Sequence, residues 1–185
     1  GKKVSGQISE MTRNEITLKK AVGEPDVVQA NDVAAFQWDA GGPELPLGYS
    51  DENNGKFDSA IKRYTKARDD AKNPSEYLKA EFEYVIARAT AQMALADPEK
   101  QKTAIAMLEK AQKARPEHFR YYESVYLLGQ VQLEMGDFAA ARATFDQLNK
   151  APWNDYKLLA KIASGKVSVK EGNLDKAAQE FSEAA

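Results

Sequence analysis

The stretch GDFAAARATF, residues 136–145, has two close copies in the chain, GKFDSAIKRY at residues 55–64 and GNLDKAAQEF at residues 172–181. Each copy begins with glycine and carries a large apolar residue third, alanine sixth and an aromatic residue tenth. Glycine adopts a positive φ at low cost, which a tight turn between two antiparallel helices needs. A fixed alanine suits the closest approach of two helices, and the aromatic residue four positions later fills the space toward the next repeat. The stretch therefore predicts a turn followed by the second helix of a packed pair.

The spacing of these copies predicts a stack of such pairs. Gly136 and Gly172 lie 36 residues apart, and Gly55 precedes Gly136 by 81 residues. The larger interval fits two repeats if one copy lacks its glycine, and Ala104 and Leu108 occupy the alanine and large-residue positions of that copy. A period in the mid-thirties is typical of stacked helix pairs.

The N-terminal part of the chain follows a different pattern, with short β-prone runs separated by turn residues. We predict four strands there, at residues 3–10, 15–21, 26–30 and 33–39. Gly41-Gly42-Pro43 and Pro46 then break the pattern. The predicted fold is α+β and mainly α, with a small β module at residues 1–45 and about four helix pairs at residues 46–185.

About forty residues are marginal for an independent core without disulfides or metal, so the module should dock on something larger. We expect it to cap the first helix pair, with Phe36 and Trp38 packed against the helix at residues 56–72, or else to pair with another chain. At the other end, the terminal face of an open helical stack has no neighbouring repeat. We therefore expect four apolar residues to be partly uncovered there: Ile162, Val167, Leu174 and Phe181.

Residues 119–152 and 156–185 resemble tetratricopeptide repeats. The residues that carry the resemblance are Leu128, Gly129, Gly136, Asp137, Phe138, Ala141 and Phe145. Residues 76–116 resemble a degenerate copy, and residues 47–72 a partial one with a weak, proline-interrupted first helix. The resemblance implies a right-handed α–α superhelix whose first helices line a concave surface.

The whole layout is also similar to multi-repeat proteins of planctomycete-type bacteria. The similarity lies in the segments at residues 30–36, 119–123 and 150–153. It implies export to the periplasm, and Gly1 in place of an initiating Met suggests that a leader is missing. A cytoplasmic location stays open.

The composition excludes several classes of function. A net charge of −2 and a pI near 5.6 argue against a nucleic-acid partner, which would need clustered Lys and Arg. The chain has no apolar run long enough to predict a transmembrane segment. It also has no cysteine, which excludes disulfides, thiol catalysis and cysteine-ligated metals.

No pattern predicts a catalytic, cofactor or metal site, so we do not expect an enzyme. The single histidine, His118, has neither Cys nor a second His to act with, and we expect it to be exposed or to cap a helix. The run from Asp51 to Gly55 departs from the spacing of a calcium loop and predicts a turn between helices. Pairs such as Glu81 and Glu83 do not share a helix face and are expected at the solvated surface.

The sequence instead predicts a scaffold that binds a protein or peptide segment on the concave face. Counting from Gly129 and Gly165 places an apolar and polar strip on that face. The predicted partner-binding residues are Tyr84, Arg88, Tyr126, Gln130, Leu133, Ile162 and Lys166. The alternative is self-assembly, as a homodimer or a larger species, through the β module or the uncovered last repeat.

Overall fold

The computed structural model describes residues 3–184. Its strands are β1 (Gln7–Met11), β2 (Glu15–Lys19) and β3 (Asp26–Gln29). Its α-helices are α1 (Glu44–Asn53), α2 (Phe57–Asp70), α3 (Glu76–Ala94), α4 (Pro98–Ala114), α5 (Tyr121–Met135), α6 (Phe138–Asp146), α7 (Asn154–Lys170) and α8 (Leu174–Ser182). Short 3-10 turns lie at Ala30–Asp32, Asp39–Gly41 and Gln147–Lys150. Within residues 3–184, no helix combines the length and the apolar character that crossing a membrane requires.

The helices form a stack of pairs. Each odd-numbered helix packs against the even-numbered helix that follows it, and α2, α4 and α6 each pack against the first helix of the next pair. First helices also contact one another, α3 with α5 and α5 with α7. The mainly helical, repeated architecture predicted from the sequence is confirmed, whereas the right-handed superhelical twist stays a prediction.

The turn within the last two pairs has the predicted geometry. Gly136 and Gly172 adopt φ values of +83° and +79°, which side-chain-bearing residues adopt at a cost. The next residues, Asp137 and Asn173, cap the second helices, because their side-chain oxygens accept hydrogen bonds from backbone N–H groups three residues on. The prediction of a glycine turn followed by a second helix is confirmed.

A second glycine in each of these pairs lets the two helices approach closely. A Cβ atom at Gly129 would lie 2.7 Å from Cδ1 of Phe145, and a Cβ at Gly165 would lie 2.7 Å from Cδ1 of Phe181. Real Cβ atoms essentially never come so close to a ring carbon. The aromatic residue of the repeated stretch therefore rests directly on the backbone of the preceding helix.

The first pair contains the same glycine–ring contact, which the sequence analysis missed. A Cβ at Gly48 would lie 2.5 Å from Cδ1 of Tyr64. The expectation of an interrupted first helix is wrong, because α1 runs unbroken from Glu44 to Asn53. Pro46 is the third residue of that helix, where a backbone N–H has no intrahelical acceptor and its loss costs little.

The β module contains three of the four predicted strands. They form one antiparallel sheet in the order β1-β2-β3. The predicted strand at residues 33–39 is wrong: a 3-10 turn ends β3, and the chain then runs without ladder pairing. The aromatic residues of this segment pack against other rings instead. The centroid of the Phe36 ring lies 4.6 Å from that of Trp38 and 5.5 Å from that of Phe119.

The sheet spans the starts of three first helices rather than capping the first pair alone. The Tyr77 hydroxyl, at the start of α3, donates to the Ser9 carbonyl oxygen at 3.5 Å. Arg13 lies 4.4 Å above the ring of Tyr121 at the start of α5, and Asn31 donates to the Asp155 carboxylate at the start of α7 at 3.3 Å. The β module therefore ties pairs two, three and four together along one edge of the stack.

Two details of the expected docking are corrected. Trp38 packs against the buried cluster that includes Ala60 and Tyr64 of α2, as predicted, but Phe36 packs on Phe119 just before α5. The sheet residues Met11, Ile16 and Leu18 form one buried cluster with Phe119.

The end of the stack is partly as predicted. Leu174 and Phe181 are exposed, and Ile162 is half-buried. Val167 was also expected to be uncovered and is fully buried, because it belongs to the core shared by α5, α6 and α7.

Candidate functional site

A groove of about 150 Å³ lies between the first helices of the last two pairs. We call it the inner groove. Its lining residues are Leu95, Tyr126, Gln130, Leu133, Glu134, Phe145, Ala163 and Lys166.

Helical spacing explains why α5 and α7 supply most of the lining. Tyr126, Gln130 and Leu133 are separated by four and three residues, so their side chains lie on one face of α5. Ala163 and Lys166 are three residues apart on α7. The floor is apolar, since Leu133 is buried and the Tyr126 ring lies 5.9 Å from that of Phe145.

Three of the four polar side chains that line the inner groove have no hydrogen-bond or ion-pair partner among residues 3–184. In the part of the chain that the structure describes, no hydrogen bond or ion pair engages the Tyr126 hydroxyl, the Gln130 amide or the Lys166 ammonium group. At the rim, Glu134 and Lys170 form an ion pair of 3.0 Å. The groove thus offers a donor and acceptor hydroxyl, an amide and one cation beside an apolar floor.

The structure divides the seven predicted partner-binding residues into two sets. Tyr126, Gln130, Leu133 and Lys166 lie together in the inner groove. Ile162 is half-buried on α7 and does not line the groove. The remaining two, Tyr84 and Arg88, belong to a network of buried charges between the first three pairs.

One centre of this network is the ion pair between Arg88 of α3 and Glu52 of α1. The Nε and Nη2 atoms of Arg88 each donate to a different oxygen of Glu52 at 2.7 Å. The Tyr64 hydroxyl of α2 donates to the same carboxylate at 2.5 Å. A bidentate, nearly buried pair of this kind joins three helices with fixed geometry.

The second centre is Glu81 of α3, which is fully buried. Its carboxylate accepts a hydrogen bond of 2.7 Å from the Tyr49 hydroxyl and lies 3.4 Å from Nε of Arg120. The expectation that Glu81 lies at the solvated surface is therefore wrong. Although burial by itself raises the pKa of Glu81, the positive charge of Arg120 and the Tyr49 hydrogen bond lower it below its usual value, so the carboxylate stays ionised.

Glu123 of α5 connects the two centres. Its carboxylate oxygens lie 3.5 Å from Arg88 and 3.2 Å from Arg120. The centroid of the Tyr84 ring lies 5.4 Å from Cζ of Arg88 and 5.6 Å from Cζ of Arg120. Tyr84 and Arg88 are thus engaged in contacts within the chain and are not available at a surface as predicted.

His118 does not have the predicted exposure. Its ring is buried between Tyr84 and Phe119, with centroid distances of 5.7 Å and 4.9 Å. Its Nδ1 atom accepts a hydrogen bond of 3.4 Å from the backbone N–H of Arg120. Arg120 precedes α5, whose first turn has no side-chain cap, so the predicted capping role is also wrong. Burial lowers the pKa of His118 to about 4, against the opposing effect of Glu81, so the ring is neutral at neutral pH.

The sequence did contain a signal for Glu81. Leu78, Phe82 and Val85 are buried, and Glu81 lies three residues after the first of them and four before the last. This is the spacing of the buried stripe of a helix. The spacing between Glu81 and Glu83 does not reveal that Glu81 lies on this stripe. No local spacing indicates which arginine Glu81 contacts.

The predicted turn at residues 51–55 is confirmed, because they form the end of α1 and the connection to α2. The Asp51 carboxylate accepts hydrogen bonds of 2.6 Å from Ser59 and from Arg63 of α2. The acidic run therefore closes the first helix pair.

Residues 95–162 match the family model of the tetratricopeptide repeat. The matched segment runs from the end of α3 into α7 and includes most of the inner groove. A search of curated proteins finds no match. The match and the helical structure support tetratricopeptide repeats over this segment, while the likeness to planctomycete-type proteins stays a prediction. Such repeats generally mediate protein–protein interaction and are typically non-catalytic.

Proposed function

We propose that the chain is a non-catalytic interaction scaffold that binds a segment of a partner protein in the inner groove. The observation that carries this proposal is the contrast between two sets of polar side chains on the first helices. Arg88 is held by an internal bidentate ion pair with Glu52. Tyr126, Gln130 and Lys166 instead border an open groove, and within residues 3–184 their side chains form no hydrogen bond or ion pair.

The size of the groove favours a peptide over a small molecule. Pockets for small ligands usually measure about 300–1,000 Å³. The inner groove, at about 150 Å³, is smaller and has room for an apolar side chain or two. A partner segment can place these side chains on the apolar floor and direct its backbone or polar groups to Tyr126 and Gln130.

Peptide selection with matched variants tests this proposal. A random peptide library displayed on phage is selected on the intact chain, and the enriched peptides are titrated by fluorescence anisotropy. Tyr126→Phe removes the hydroxyl, and Gln130→Ala removes the amide together with one methylene. We expect the double variant to bind about thirtyfold more weakly, because two lost hydrogen bonds of ~1 kcal/mol each add to about 2 kcal/mol. Gln37→Ala, an exposed glutamine before α1, is the control and should bind as the wild type.

Two results would contradict the proposal. One is that enriched peptides bind the double variant and the wild type equally. The other is that no peptide binds with a dissociation constant below the millimolar range, since a preformed recognition groove should select weak binders at least.

Self-assembly through the β module has less support from the packing. The buried side of the sheet, including Met11, Ile16 and Leu18, already rests on Phe119 of the same chain. Light scattering of the whole chain separates the two functions, since a monomer at tens of micromolar contradicts self-assembly. Export to the periplasm remains a further proposal, which fractionation of source cells would test.

A further inference from the structure

The inner groove has both of its walls within the described chain. One wall is α5, the other is α7, and Phe145 of α6 belongs to the floor. The groove is therefore complete without a further helix pair. The corresponding gap between α3 and α5 is bridged by their own side chains, since Arg88 lies 3.5 Å from Glu123. Between α5 and α7 the ion pair of Glu134 and Lys170 lies at the rim, so the groove beside it stays open.

The charges of the inner groove leave one cation uncompensated. Of the residues that line it, Glu134 and Lys166 are charged. Glu134 is paired with Lys170, whereas Lys166 is exposed and its ammonium group has no ion-pair partner among residues 3–184. A segment that binds beside Lys166 therefore meets a net positive charge. Electrostatic complementarity favours an acidic residue there over a neutral one, and a neutral residue over a basic one.

Lys166 is close enough to the apolar floor for one short segment to reach both. It follows Ala163 by three residues, which corresponds to about 4.5 Å along the axis of α7. An extended segment advances by about 3.3 Å per residue. An acidic residue within three positions of an apolar one can thus meet Lys166 while the apolar side chain rests between Leu133 and Ala163.

We propose that the inner groove selects partner segments in which an acidic residue lies within three positions of a large apolar residue. This proposal rests on the function proposed above, since it requires that the groove binds a partner segment at all. The apolar side chain supplies the buried contact area on the floor, and the acidic side chain pairs with Lys166. The Tyr126 hydroxyl and the Gln130 amide can both donate and accept, so they can meet the backbone of a segment of any charge. Lys166 therefore determines which segment binds.

Parallel peptide selections on three proteins test this specificity. The probe is a phage-displayed library with a fixed central leucine and three random positions on each side, and it is selected on the wild type, Lys166→Glu and Lys157→Glu. Lys157 is an exposed lysine of α7 that does not line the groove, so it is the matched control. Asp and Glu should be enriched on the wild type and on Lys157→Glu. Lys and Arg should be enriched on Lys166→Glu, because the uncompensated charge has changed sign.

Titration by fluorescence anisotropy measures the size of the effect. An enriched acidic peptide is compared with versions that carry the matching amide or Lys in place of the acidic residue. The amide version should bind about threefold to fivefold more weakly, as for the loss of an exposed ion pair, and the Lys version about tenfold or more weakly. Added salt should reduce both differences. Lys166→Gln should remove the difference between the acidic and amide versions, whereas Lys157→Gln should retain it.

The ion pair at the rim provides a separate test of the charge count. Lys170→Gln releases Glu134 and leaves the groove with one negative and one positive charge. The preference for the acidic peptide over its Lys version should then shrink to about threefold or less. An unchanged preference would show that Lys170 does not neutralise Glu134 and would contradict the proposed charge balance.

Four outcomes would overturn the proposal. They are selection without enrichment of Asp and Glu, equal affinity of the acidic and amide versions, equal effects of Lys166→Gln and Lys157→Gln, and a dimer in light scattering that Lys166→Glu dissociates, which would place a second copy in the groove. If the double variant of Tyr126 and Gln130 still binds the selected peptides more weakly, the first three outcomes refute only the role of charge. If that variant binds as the wild type, or if no peptide is selected, the function proposed for the groove fails as well.

Discussion

Replacing Gly129 by alanine should destabilise the fold although alanine is the better helix former. In an open helix the exchange would stabilise by about 0.5–1 kcal/mol. Here the new Cβ would lie 2.7 Å from Cδ1 of Phe145, whose ring is buried and enclosed by α7. Forcing a methyl group into a packed core costs about 1–3 kcal/mol, so we expect a net loss of roughly 1–2 kcal/mol.

The last pair provides a control with nearly the same local geometry. A Cβ at Gly165 would also lie 2.7 Å from a Cδ1 atom, here of Phe181. Phe181 is 38% exposed, so its ring can move outward when the methyl group is added. Gly165→Ala should therefore be close to neutral, or stabilising by up to about 0.5 kcal/mol from helix propensity.

Urea unfolding followed by circular dichroism at 222 nm measures both variants, and thermal melting supports it. A loss of 1–2 kcal/mol corresponds to a decrease of about 2–8 °C in the melting temperature of a chain of this size. In the Gly129→Ala background, Phe145→Leu should recover part of the loss, because a smaller side chain makes room for the methyl group. If both glycine variants changed stability equally, or if Gly129→Ala were stabilising, the steric explanation of the repeated stretch would be refuted.

Three further predictions concern the buried charges and the segment that follows the sheet. Glu81→Ala should cost about 3 kcal/mol in urea unfolding, because it leaves Arg120 buried with a single remaining carboxylate neighbour; a loss below 1 kcal/mol would contradict this. The pKa of His118 is 6.5 in the unfolded chain and about 4 in the folded one, so between these pH values the unfolded state binds more protons. The free energy of unfolding should therefore fall as the pH is lowered, by about 3 kcal/mol across the whole window. Unfolding of His118→Gln should show a smaller decrease across that window, and equal slopes would refute the assignment. Phe36→Ala should expose Trp38 and shift its fluorescence to longer wavelength, measured with the other tryptophan replaced; an unchanged spectrum would mean that Phe36 does not hold this segment in place.

The helical part of the fold could be predicted because each fixed residue of the repeated stretch has a local steric role. Gly136 needs a positive φ, and Ala141 has no room for a larger side chain. The residue type at each position therefore indicates the local structure. No residue type in the segment at residues 33–39 requires one particular local structure. Its β-prone Phe36 is buried equally well by a ladder or by contact with Phe119, and only the position of the helices decides between them.

The residues of the inner groove could be predicted from the sequence, as the helical part of the fold could. The network of buried charges could not. Tyr126, Gln130 and Leu133 share one helix face, so counting from Gly129 finds them together. The contacts of Arg88 with Glu52, and of Glu81 with Arg120, join residues 36 and 39 positions apart in the chain, which lie on or directly before different first helices. No spacing within a single helix indicates such a pair, because it depends on how neighbouring pairs are stacked.

The network also explains why recognition is expected on the later pairs. Arg88 and Tyr126 are both on first helices and were predicted to share one strip, yet Arg88 is fixed by Glu52 while the Tyr126 hydroxyl has no partner within the described chain. A side chain held in a buried bidentate ion pair cannot be withdrawn for a ligand without leaving a charge uncompensated, at a cost of about 3–5 kcal/mol. Groups without internal partners have no such penalty, and binding has only to order their side chains. Variants of Arg88 should therefore lower mainly the free energy of unfolding, and variants of Gln130 mainly the affinity for a bound peptide. Measuring both quantities for both variants separates the structural residues of the strip from those that recognise a partner.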